Sequence, residues 1–168
     1  MRVLIVLLLA VLASPGMAGD VEEPHWELVD TLGEVEIRQY APSVQAITRI
    51  GSSARTTEGF RRLAGYIFGD NERSQSIAMT APVQETLTEG SPVMAFTMPS
   101  QYALDDLPAP TDQRIAIKPV PSRTVAAIRF SGWATGGKVA KMRGELQATL
   151  AKYGVDTVGD PVLNQYNP

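Results

Sequence analysis

The sequence predicts an α+β fold, a mixed and mainly antiparallel sheet or barrel with two packed helices. Three observations predict it. Extended segments and helical segments alternate as strands, helix, strands, and that order occurs approximately twice. Only two stretches carry a one-sided helical period. Prolines at 42, 99, 108, 110, 119 and 121 mark turns between the extended segments. With 44% hydrophobic residues and a net charge of -3, the 168-residue chain has enough apolar surface to fold, and its length suits one domain.

The elements follow in order. Residues 1–18 read as a secretory signal: Arg2, then an unbroken apolar run over 3–13, then small residues with Gly16 and Ala18 placed for cleavage after Ala18. That run is too short to span a hydrocarbon core of about 20 residues, so no membrane anchor is expected. Residues 19–168 form the expected single domain, periplasmic or secreted. Residues 35–40 and 44–50 read as strands split by Ala41-Pro42-Ser43. Residues 56–68 read as a helix with Phe60, Leu63, Ala64 and Ile67 on one face and Gly69 as its stop. Residues 76–87 and 92–98 are extended in character, and 99–112 is a proline-rich connection. Residues 114–118 and 124–131 read as strands. A second helix covers 137–153, with Val139, Met142, Leu146, Leu150 and Tyr153 along one side and Gly154 as its stop, and a last strand covers 162–166.

Composition excludes several chemistries. The absence of Cys removes disulfides, thiolate metal sites and a thiol nucleophile. A single His, His25, rules out a two-histidine metal site, and its place near the expected mature N-terminus favours a solvated side chain over a rigid ligand. An acidic balance without a basic run argues against nucleic acid as a partner. The segment from Gly132 to Lys138 fits G-x-x-x-x-G-K, but Val139 stands where a phosphate loop needs Ser or Thr, so a glycine-rich turn opening a helix is expected. Its Lys138 could still hold a small anion. Glu36, Glu58, Glu85 and Asp112 show no spacing that pairs them for acid–base work and read as solvated charge. No enzyme activity is expected.

Met94, Phe96 and Met98 alternate onto one face of a strand and read as core. On the first helix, Tyr66 and Phe68 fall off the apolar face and are expected to add exposed aromatic surface beside Arg61 and Arg62.

Several segments, taken in order, resemble one family. They are V-E-I-R-Q-Y-A-P at 35–42, Phe60 to Asn71, I-A-M-T-A-P-V at 77–83, F-T-M-P at 96–99, Pro108-Ala-Pro110, Phe130-Ser-Gly132 and Tyr166-Asn-Pro168. Together they resemble the SOUL haem-binding protein family. The resemblance implies a distorted antiparallel β-barrel or sheet of two pseudo-repeated βαββ-type halves. It also implies that haem or another tetrapyrrole binds by apolar contact in a shallow groove along the first helix. Carried over by position, the groove residues are Phe60, Arg61, Ala64 and Gly65, with Met79 and Tyr166 nearby. Arg62 and Lys138 are candidates for the propionates, and no residue is expected as axial ligand. The family would continue past Pro168 through a further loop and strand, so the domain is expected to lack its last strand. The alternative is a module of the same fold that binds a non-haem small ligand or a protein; a carboxylate-using hydrolase ranks third.

Overall fold

The structure is a computed structural model that describes residues 4–9, 21–51, 56–88, 90 and 92–166. Nine strands and two helices make an α+β architecture: β1 (Leu4–Leu9), β2 (Trp26–Leu32), β3 (Val35–Tyr40), β4 (Ser43–Arg49), α1 (Thr56–Ile67), β5 (Val83–Thr86), β6 (Val93–Thr97), β7 (Ile115–Val120), β8 (Arg123–Phe130), α2 (Gly136–Lys152) and β9 (Val162–Gln165). The strand order is β2-β3-β8-β1-β9-β5-β6-β4-β7. Three strands on one side of β1 and five on the other pair antiparallel, while β1 runs parallel to both β8 and β9. The sheet is open and does not close into a barrel.

The expected strands lie close to their sequence positions. β3 coincides with the V-E-I-R-Q-Y segment. The segment at 76–87 is a strand only over Val83–Thr86, after the cis Ala81-Pro82 bond. β7 continues through Pro119, which an edge strand tolerates because its outward N–H needs no partner. β2 is a strand of the domain that the sequence reading missed. It forms a hairpin with β3 through Gly33, whose φ of 62° suits glycine, and a bulge between Leu28 and Asp30 breaks its alternation.

Each helix covers one part of the sheet. α1 lies on β4 and β6, and α2 lies on β8 and β1. Leu63, Ala64, Tyr66 and Ile67 of α1 pack with Ala46, Ile50, Met94, Phe96 and Ile115. Leu146 and Leu150 of α2 pack with Val35, Ile37, Ala126, Ile128, Phe130 and Leu163. Met94, Phe96 and Met98 are buried in the first of these cores, as their alternation predicts. Alternation sends Arg38 and Gln45 to the opposite face of the sheet, and there both are buried too. Gln45 donates to Gln84 (2.8 Å), and Arg38 pairs with Glu36 beneath Trp26, whose ring centroid lies 3.8 Å from the guanidinium carbon. One sheet therefore has an apolar, helix-covered face and a second face built around buried polar pairs.

The segment expected as a secretory signal contributes β1, while the expected cleavage position at Ala18 lies outside the described residues. So does Asn167-Pro168.

Candidate functional site

α1 is held in place at its C-terminal end. Gly69, with φ of 119°, stops the helix, and Asn71 ties the following turn back by donating to the carbonyls of Tyr66 (2.9 Å) and Gln75 (2.8 Å). Tyr66 is not the exposed aromatic expected from the helical wheel. It is fully buried, and its hydroxyl donates to the Pro108 carbonyl (3.0 Å), because the 99–112 connection folds over that side of the helix. Burial raises its phenol pKa, with Arg73 pulling the other way. Phe68 is exposed, as expected.

The predicted groove residues divide into two sets. Phe60 is half-buried and meets Phe96 edge to face, with ring centroids 5.4 Å apart. Met79 is half-buried against the same core cluster, and Ala64 is a buried member of it. Arg61 is exposed and Gly65 is half-buried. Phe60, Ala64 and Met79 therefore share one apolar shelf, with Arg61 and Gly65 on the same helix. Tyr166 is elsewhere, in a cluster with Tyr40, Val125 and Trp26, where burial raises its pKa most. Lys138 belongs to α2, where its ammonium donates to the Ser131 carbonyl and lies 5.7 Å from the Phe130 ring centroid. The glycine-rich segment leads directly into α2, whose first residues are Gly136 and Gly137 and whose cap is Thr135.

Arg62 is committed to the protein. Its guanidinium donates to Thr48 Oγ1 (2.7 Å), the Arg49 carbonyl (3.1 Å) and Glu58 (3.0 Å), and its Nε lies 3.6 Å from Asp112. Asp112 also takes a two-pronged contact from Arg114, which together with Arg62 holds its carboxyl down at about 2. The carboxylates expected as solvated charge are mostly ion-paired. Glu85 departs most from that reading: it is buried on β5, in a cleft of about 540 Å³ between the helices that Leu87, Leu163, Val139 and Arg143 also line. Among the described residues no other carboxyl lines that cleft.

A cleft of about 790 Å³ lies at the strand ends. Its lining includes His25 but none of the predicted groove residues. The His25 side chain is exposed, as expected, but its backbone is not loose. Its carbonyl accepts the Ala41 N–H (3.1 Å), and β2 begins at the next residue. The sequence reading missed this because it missed β2. Among the described residues, no group of three or more His, Cys, Asp or Glu side chains is placed to hold a metal ion.

The family model described as "SOUL heme-binding protein" matches residues 21–168. The chain belongs to that family. Mouse "Heme-binding protein 2" is 30% identical over 132 residues, which cover 70% of this chain and 64% of the mouse protein. Human "Heme-binding protein 2" is 30% identical over 143 residues, 74% of this chain and 69% of the human protein. Xenopus laevis "Heme-binding protein 1" is 33% identical over 101 residues, 55% of this chain and 52% of that protein. This SOUL-family chain thus spans a little under two thirds of the mouse relative. Phe60 and Met79 leave apolar and polarizable area uncovered beside the core, and Arg61 is an exposed cation on the same helix. The shelf contributes no imidazole, because the chain's only His lines the separate cleft at the strand ends.

Proposed function

We propose that this SOUL-family protein binds haem or a related tetrapyrrole on the shelf along α1, mainly by apolar contact, and acts as a binding protein rather than a catalyst. The observation that carries the site is the incomplete burial of Phe60 and Met79 over the α1 core, with Arg61 exposed on the same helix. The family and the printed names of the relatives supply the ligand class. Covering half-buried aromatic and thioether area releases about 25 cal/mol per Å² of apolar surface, and a planar ring suits a shallow shelf. Bound there, haem would bring its iron to a surface without a histidine, so binding rests on shape and charge. Titration with haemin, followed by the Soret band, tests this. A saturable shift is expected, with Arg61→Glu weakening it several-fold; no saturable shift at micromolar protein refutes the reading.

We further propose that the protein is exported to the periplasm or beyond. The support is in the sequence: Arg2, the apolar run at 3–13, and the small residues Gly16 and Ala18. The intact mass of the protein recovered from the periplasm checks it. Loss of residues 1–18 is expected, and a chain that keeps them overturns it.

A further inference from the structure

The cleft at the strand ends is a second site of different character. It is built where four connections meet: the residues leading into β2, the β3–β4 turn, the segment after β6, and the β7–β8 turn. Its volume of about 790 Å³ falls within the range of roughly 300–1,000 Å³ typical of small-molecule pockets. Val44, Met98, Val120 and the ring of Tyr102 give it apolar walls. The walls are preformed. Ala81 N–H donates to the Glu22 carbonyl (2.9 Å), Met98 N–H to the Val44 carbonyl (2.8 Å), and Ser100 N–H to the Glu22 carboxylate (2.7 Å). Prolines such as Pro24, Pro99 and Pro121 further restrict the backbone around it.

Charge decides what the cleft can take. Two carboxylates, Glu22 and Glu23, line it together with His25, and among the described residues no Lys or Arg does. Glu22 is partly engaged, its carboxylate accepting the Ser100 N–H at 2.7 Å. Arg38 and Arg129 act on Glu23 from outside the lining, and Arg38 is itself paired with Glu36. An anion entering here meets two carboxylates over an apolar floor, which is costly. A cation meets charge complementarity, and the Tyr102 ring can stack on its apolar body. We propose that this cleft binds a small organic cation with a flat apolar body, its ammonium at Glu23 and its ring against Val44, Met98 and Tyr102. This goes beyond tetrapyrrole binding and does not depend on it: haem carries two propionates, and the cleft selects against them.

Three probes of one shape test the assignment by isothermal titration: 2-naphthylmethylamine, 2-naphthylmethanol and 2-naphthoate. The amine is expected to bind at least tenfold more tightly than the alcohol, and the acid not measurably. Glu23→Gln should bring the amine down to the affinity of the alcohol while leaving the alcohol unchanged. Ser100 is exposed, so Ser100→Lys places a cation in the lining without disturbing the core; it should abolish amine binding and admit the acid. Equal binding of amine and alcohol, an amine affinity indifferent to both substitutions, or no binding by any probe overturns the proposal.

Discussion

Two glycines on α1 face different surroundings, and the structure predicts opposite outcomes for the same substitution. Gly59 is buried, and a Cβ built on it would lie 2.3 Å from Ile50 Cγ2, with Met94 Sδ at 3.5 Å. Ile50 is β-branched and itself buried in the α1 core, so the methyl cannot swing aside. Gly65 would place its Cβ 2.5 Å from Asp70 Oδ2, the free end of an exposed side chain that can rotate away. Replacing a helical glycine by alanine gains about 0.5–1 kcal/mol from backbone entropy. Overpacking a tight core costs about 1–3 kcal/mol. Gly59→Ala should therefore lose about 1–2 kcal/mol net, whereas Gly65→Ala should be neutral or gain up to about 1 kcal/mol. Urea unfolding followed by far-ultraviolet circular dichroism reads both. With a slope of about 1–3 kcal/mol/M, the midpoint of Gly59→Ala should fall by roughly 0.5–1 M, and that of Gly65→Ala should hold or rise. A Gly59→Ala midpoint equal to or above that of Gly65→Ala would refute the packing assigned between α1 and β4.

Other substitutions probe separate parts of the structure. Tyr66→Phe removes the hydroxyl that satisfies the buried Pro108 carbonyl and should cost about 1–2 kcal/mol in the same unfolding assay; an unchanged midpoint would mean that the 99–112 connection does not depend on that bond. Thr135 accepts the Lys138 N–H at 3.4 Å as the cap of α2, so Thr135→Ala should lose about 1 kcal/mol, with Thr135→Ser retaining most of it; equal loss in both variants speaks against the cap. Asp112 titrates at about 2 when folded against an ordinary value of 3.8, held down by its hydrogen bond from Arg114. Its contribution is therefore present above pH 4 and lost as pH falls towards 2. Asp112→Asn should flatten the acid side of the stability–pH curve between those limits, and an acid limb as steep as that of the parent would count against the pairing.

Element type was legible wherever period and punctuation agreed. β3 alternates apolar and polar over Val35–Arg38, and α1 repeats apolar residues at three and four between a polar start and Gly69, so both emerge from the sequence almost residue for residue. β2 was hidden because its acidic residues and its bulge at Leu28–Asp30 blur the alternation, and because an edge strand exposes the side chains that a buried strand would show as apolar. Losing β2 also lost the anchor of His25. Tyr66 was misplaced for another reason. A helical wheel knows only the sheet side of a helix, whereas a proline-rich connection folds over the opposite flank and buries a second face. The shelf residues Phe60, Ala64 and Met79 were identified by position within a family pattern. The acidic cleft was not legible, because it is assembled from four turns whose proximity exists only in the folded sheet.

Residues 4–9 show how one apolar run can satisfy two demands. A translocated signal needs an uninterrupted hydrophobic core, and a strand buried within a parallel ladder needs the same composition, so hydropathy does not separate them. In the structure the run lies in register between β8 and β9, with Leu4 opposite Val125 and Val6 opposite Val162. Export with cleavage after Ala18 would remove that strand and leave the antiparallel sets β2-β3-β8 and β9-β5-β6-β4-β7 without their shared neighbour. The side-chain core does not divide at the same place. Leu163 of β9 packs in one cluster with Ile37 of β3, Ile128 and Phe130 of β8, and Leu146 and Leu150 of α2. α2 therefore ties the two strand sets together through buried apolar contact. The fold of an exported chain rests on that cluster, while the backbone edges of β8 and β9 become its most vulnerable hydrogen-bonding groups.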